Sequence, residues 1–171
     1  MRSEFFLRLD RWARNLTPFG LTLTLIVLGM LPVRIPDYAS VAPVLAAISL
    51  YHWAVYRPHL LPFAAVFLLG VAQDMLSGAP VGLFALVFLT FYGAVVLQRR
   101  FLAGKSFLVY WFGFAIIWFL ATLELWVLAS AFHVTLLDMK AFLFQYLVTA
   151  GLFPFVAWIF LRWQQAFLQQ A

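Results

Sequence analysis

The chain of 171 residues is 66% apolar and 10% charged, with a formal charge of +5 from eleven Lys and Arg against six Asp and Glu, and its mean hydropathy is +1.01. That composition excludes a soluble globular fold, and in a membrane protein the basic excess reports topology rather than nucleic-acid binding. With no Cys present, disulfides, thiolate metal sites, a Cys nucleophile and palmitoylation are excluded as well.

Residues 1–15 open the chain as a basic amphipathic segment. Phe5, Leu9 and Trp12 recur at i, i+4, i+7, and Glu4 to Arg8 and Asp10 to Arg14 are i,i+4 pairs. The pattern predicts an interfacial helix, anchored on the cytoplasmic leaflet or docked on a cytoplasmic protein, with Arg8, Arg11 and Arg14 meeting anionic lipid. The apolar run after it has no small-residue cleavage pattern, so the first span is expected to stay rather than leave as a signal peptide.

Residues 16–161 hold six apolar runs: Leu16 to Val33, Tyr38 to Tyr56, His59 to Leu76, Ala79 to Leu97, Ser106 to Phe132 and Ala141 to Leu161. A hydrocarbon core ~30 Å thick takes about 20 residues per helix, so six spans use roughly 120 residues and leave no room for a soluble catalytic domain. Pro36 with Asp37, Arg57 with Pro58, and Ser77 to Pro80 supply turn chemistry between runs. The stretch from Tyr51 to Pro62 is the ambiguous one, and a five-span reading would fuse or break helices there.

Basic residues arbitrate, because short cytoplasmic loops accumulate Lys and Arg. Six spans with an inside N-terminus place Arg2, Arg8, Arg11, Arg14, Arg57, Arg99, Arg100, Lys105 and Arg162 inside, nine in all, and leave Arg34 and Lys140 outside. The expected fold is therefore an all-α integral membrane protein: one domain over 1–171, a bundle of six transmembrane helices with short loops and both termini cytoplasmic. Residues 162–171 form a cytoplasmic tail in which Trp163 and Phe167 repeat the amphipathic pattern more weakly. The runs are continuous rather than alternating, which excludes a porin-like barrel.

Candidates for chemistry are few. Asp74 falls near the outer end of the third run and Glu124 in the outer half of the fifth, and a charge at bilayer depth must face a partner helix or a wet cavity. Asp74 either contacts a ligand or partner, or accepts hydrogen bonds from the amides that open the fourth helix. Glu124 either joins helices through Thr122, Tyr92 or Gln145 or serves a functional role. His52, between Tyr51 and Trp53, is expected at the surface in an interfacial aromatic belt. No His pair stands at i, i+4, and serine-hydrolase, nucleotide-binding and metal motifs are absent. No cofactor and no enzymatic activity are expected.

Gly70, Gly78 and Gly82 ring one hairpin with small surfaces that would let a partner backbone approach. Gly78 is suited to a left-handed cap ending the third helix and Pro80 to opening the fourth, which together predict a groove at the outer face. Two function classes are open: a membrane interaction protein, favoured by 20 Phe, 7 Trp and 6 Tyr and by loops too short to close over a solute, and a six-helix small-molecule carrier.

Pro43, LYHWAVYRP from Leu50 to Pro58, GVAQDMLSGAPVGLFAL from Gly70 to Leu86, and GLFPF from Gly151 to Phe155 resemble the MreD family of bacterial rod shape-determining proteins. The family's Gly-x-x-x-Asp-x-x-x-Gly-x-x-x-Gly pattern lands on Gly70, Asp74, Gly78 and Gly82, and the basic N-terminus and Glu124 are also similar. Tyr51-His52-Trp53 departs from the family's adjacent Tyr-Trp. The resemblance implies a non-enzymatic subunit of the elongation machinery in the bacterial inner membrane. Its implied partners are the bitopic protein MreC, the MreB filament, and the RodA polymerase with its transpeptidase. The family is similar in architecture to the substrate-binding subunits of vitamin transporters, which keeps the carrier as the alternative.

Overall fold

A computed structural model describes the backbone of residues 2–30 and 42–167 and the side chains of residues 16–30 and 42–162. The described chain is helical, with α1 Arg2–Gly29, α2 Leu45–Tyr56, α3 Phe63–Ser77, α4 Leu83–Leu102, α5 Phe107–His133 and α6 Met139–Phe167, and a 3-10 turn at Pro58–Leu60. Leu83–Leu102, Phe107–His133 and Met139–Arg162 are long and apolar enough to cross a membrane, and Leu16–Gly29 and Phe63–Ser77 are shorter apolar helices. The protein is a membrane helical protein.

Prolines set the boundary that the sequence left ambiguous. A residue before Pro is pushed out of the helical region, and Arg57 before Pro58 stands at φ −145 while Leu61 before Pro62 stands at φ −130. The helix therefore breaks twice, and Tyr92 of α4 holds the break by donating its hydroxyl to the Leu61 carbonyl at 2.7 Å. At the other end of the sequence, α1 runs as one helix from Arg2 through Pro18 to Gly29. The side chains of Phe5, Arg8, Leu9, Arg11, Trp12, Arg14, Trp163 and Phe167 lie outside the described ones, as do residues 31–41, where the first and second runs meet.

Helices α3, α4, α5 and α6 pack in chain order, each on the next, and α2 packs against α4, α1 and α6, with α1 also covering α3. Helix α2 is only 12 residues long, yet every residue from Ala46 to Val55 is buried. A helix apolar on all sides belongs at the centre of a bundle, and here it seeds an aromatic core. Phe114 of α5 stacks on Phe153 of α6 at 4.4 Å between ring centroids, Tyr51 of α2 meets both edge-on, and Trp118 packs on Phe91 of α4. Edge and offset geometries suit the ring quadrupoles.

His52 corrects the sequence reading. It is fully buried, stacked on Phe160 at 5.2 Å and in hydrogen-bond contact through Nδ1 with the Tyr110 hydroxyl at 3.2 Å. The surface assignment failed because α2 is central, so its Tyr56 end packs against protein rather than facing a lipid interface.

Polar side chains stitch the helices where lipid supplies no hydrophobic drive. Thr22 of α1 and Ser49 of α2 share a hydrogen bond of 2.7 Å. The start of α2 has no capping side chain of its own, and α6 serves it instead: Val44 N–H donates to Thr149 Oγ1 at 3.1 Å, and Gln145 Nε2 donates to the Ala42 carbonyl at 2.8 Å.

Candidate functional site

Asp74 ends one helix and begins the next. Its backbone carbonyl accepts from the N–H of Gly78, which caps α3 in the left-handed region at φ 70, and from Ala79 N–H at 3.1 Å. Its carboxylate reaches across the turn to the orphan amides of α4: Oδ1 accepts from Phe84 N–H at 2.7 Å, and Oδ2 from Gly82 N–H at 2.8 Å and Ala85 N–H at 3.4 Å. Gly82, the residue at the N-cap of α4, has no side chain to cap with, so Asp74 does that work from eight residues upstream. The side chain is fully buried, and its oxygens lie at the positive end of the α4 dipole.

The turn differs from expectation at Pro80. Helix α4 opens at Leu83 rather than at Pro80, because Leu83 N–H bonds the Pro80 carbonyl at 3.1 Å and closes a β-turn. Gly82 takes φ 104, ψ −15 there, the position at which a type II turn needs glycine. The three glycines thus divide by role. A Cβ on Gly70 would collide with the Ala85 Cα, whereas one on Gly78 or Gly82 would meet nothing within 4 Å. The close approach at Gly70 is therefore to α4 of this chain, and the open ground at the turn surrounds Gly78 and Gly82.

Glu124 joins α5 to α4, though through none of the expected partners. Thr90 Oγ1 donates to Glu124 Oε2 at 2.6 Å on the exposed side of the bundle. Thr122 is committed to the Trp118 carbonyl, Tyr92 to Leu61 and Gln145 to Ala42. Four residues separate Leu86 from Thr90 and Leu120 from Glu124, so the pair shares its outward face with two exposed leucines.

Other features carried weak signals or none in the sequence. A cavity of about 350 Å³ lies at the His133 end of α5, between Trp126, Ser130 and Leu136, and an apolar slot of about 90 Å³ separates α5 from α6 beside Phe119 and Tyr146. Val134 caps α5 at φ 53, a left-handed conformation that a β-branched residue rarely holds. Gly113 lets the Tyr51 hydroxyl and the Leu102 side chain press against α5. Among the described residues, no group of three or more His, Cys, Asp or Glu gathers as a metal site. What the arrangement offers is a rigid hairpin, a polar seam within an apolar face, and a filled core.

Residues 11–171 match the family described as the rod shape-determining protein MreD. No curated relative and no solved structure matches the chain.

Proposed function

The chain belongs to the MreD family of rod shape-determining proteins, and from that premise we propose that it is a non-enzymatic membrane subunit of the cell-wall elongation complex in a bacterial inner membrane. In this reading it forms one domain of six spans with both termini cytoplasmic. It binds an MreC-like bitopic partner and, directly or through that partner, meets the MreB filament and the RodA polymerase with its transpeptidase. The observation that carries the proposal is the family match across residues 11–171.

Two physical features support it. The nine-to-two division of basic residues fits six spans with cytoplasmic ends. The middle of the described bundle is filled by Trp53, Trp118, Phe114 and Phe153, all buried, which suits a scaffold better than a carrier that must close around a solute. The hairpin of Gly70, Asp74, Gly78, Pro80 and Gly82 then acts as a rigid outer corner, Glu124 marks a helix-contacting face, and the basic N-terminal residues hold lipid or a cytoplasmic protein.

Depletion in a rod-shaped host with the gene replaced tests the proposal. Cells should round up as the protein is lost, and purification in mild detergent should retain the bitopic partner. Rods that persist through depletion, or a small vitamin-type molecule bound in place of protein partners, would reject the scaffold in favour of the carrier.

A further inference from the structure

The polar pair on the α4–α5 seam sits inside an apolar surface. On α5, Leu120 and Val127 flank Glu124 and stand 60% and 54% exposed, and on α4 Leu86 stands 46% exposed one turn from Thr90. Depth follows from the helix rise: Thr90 lies about 10 Å in from the Leu83 end of α4, and Glu124 about 14 Å in from the His133 end of α5. Both helices are long and apolar enough to cross a membrane, so the pair lies among acyl chains rather than headgroups.

Among the described residues the Glu124 carboxylate receives one hydrogen bond, from Thr90 Oγ1. Even that donor is contested. The single hydroxyl proton of Thr90 also lies within reach of the Val87 carbonyl at 3.0 Å and the Leu86 carbonyl at 3.2 Å, and it can serve one acceptor well at a time. The cations on the same helix are Arg99 and Arg100 in the last turn of α4, which begins about 14 Å further along the axis from Thr90. Among the described residues no Lys or Arg is paired with Glu124, and a carboxylate held outward at this depth is stabilised by a cation brought to it.

We propose that the α4–α5 seam docks a transmembrane helix that brings a Lys or Arg side chain to Glu124. This rests on the proposed function, which supplies a bitopic partner, and adds the face that receives it and the charge it carries. The incoming helix packs on Leu86, Leu120 and Val127, and its basic group completes the shell that Thr90 begins. Pairing cancels two charges that would each be unfavourable alone in lipid.

The test uses the full chain in its native membrane. A photo-crosslinking residue at Leu120 or Val127, with Leu68 on α3 as the control position, leaves Glu124 intact and so does not depend on a variant's folding. The expected crosslinks from the first two positions map to a single-span helix with Lys or Arg within one turn. Glu124→Gln, which keeps the shape and removes the charge, should lower recovery of that partner about ten-fold or more, the factor given by ~1.4 kcal/mol. Glu124→Lys combined with reversal of the partner's basic residue to Glu should restore it. Crosslinks to lipid alone, to a second copy of this chain or to a helix without a basic residue overturn the proposal, as does wild-type recovery with Glu124→Gln. If Glu124→Gln cells stay rod-shaped and keep the partner, the seam fails and the proposed function stands. If the unaltered chain recovers no bitopic partner and its depletion leaves rods, both fail.

Discussion

The Trp111 indole N–H donates to the Ala150 carbonyl across the α5–α6 interface at 3.0 Å, and that carbonyl is the one that Pro154, inside α6, leaves without its own i+4 donor. Proline removes one bond from the helical ladder, and in lipid the freed acceptor has no water to turn to. The GLFPF stretch is thus tied to a residue about forty positions earlier. Trp111→Phe should lower the unfolding midpoint in mild detergent by an amount corresponding to about 1 kcal/mol. In a Pro154→Ala background, where residue 154 supplies its own N–H, the same change should be nearly neutral. Equal losses in both backgrounds would show that the indole contributes through packing alone.

Asp74 gives a sharper prediction than its sequence suggests. Of the two roles the sequence leaves open for Asp74, that of acceptor for the opening amides of α4 would make Asp74→Asn mild, because the amide oxygen still accepts. In the structure both carboxylate oxygens accept from backbone N–H groups. An Asn must turn its NH2 toward one of those donors, leaving an N–H unsatisfied in a buried site. Asp74→Asn should therefore lose about 1–3 kcal/mol of stability, read as a lower thermal midpoint. A midpoint within error of wild type would mean that the turn relaxes to fit a single acceptor.

Legibility of the sequence followed the range of the interaction. The turn signals at Arg57-Pro58 and Ser77 to Pro80 and the cap at Asp74 were readable because they act within about ten residues. The burial of His52 was not, because it depends on α2 lying at the centre, which only the packing of α1, α4 and α6 on it decides. The Thr90 partner of Glu124 was missed for a related reason. Choosing between Thr90 and Tyr92 requires the rotation of α4 about its axis relative to α5, which only the packing of the two helices fixes.

Gly70 and Gly78 should respond differently to the same change. Gly70→Ala drives a methyl group into the α4 backbone at Ala85, which cannot move without separating the hairpin, and overpacking of this kind costs about 1–3 kcal/mol. Gly78→Ala meets open space but must hold φ 70, so only the left-handed penalty of roughly 1–2 kcal/mol applies. Gly78→Asn should recover part of that loss, because Asn tolerates the conformation, whereas Gly70→Asn should be worse than Gly70→Ala. Midpoints of the four variants in one detergent check the order.

Val134 offers a stabilising substitution. It stands at φ 53 as the cap of α5 and is 89% exposed, so its side chain holds little packing to lose. Val134→Asn keeps the N–H that bonds the Ser130 and Ala131 carbonyls, accepts the left-handed backbone and avoids the entropy that Gly would add to the unfolded chain. The expected gain is up to about 1 kcal/mol, seen as a higher midpoint. A lower midpoint would show that the valine side chain is seated on something outside the described residues.

Topology is the prediction on which the membrane reading depends. With Arg57 before α3 and Arg99 and Arg100 at the end of α4, the hairpin between them turns at Gly78, and basic residues concentrate on cytoplasmic ends. That places the Asp74 turn outside and the far ends of α3 and α4 inside. Reporter fusions after Arg100 and Gln170 should read cytoplasmic, and fusions at Ser77 and Asp138 should read external. A helix of 15 residues such as α3 spans only about 22 Å, so the bilayer must thin or the flanking turns must enter the headgroup region to accommodate it. If Ser77 instead reads cytoplasmic while Arg100 also does, α3 and α4 enter and leave on the same side without crossing, and the six-span arrangement is wrong at this hairpin.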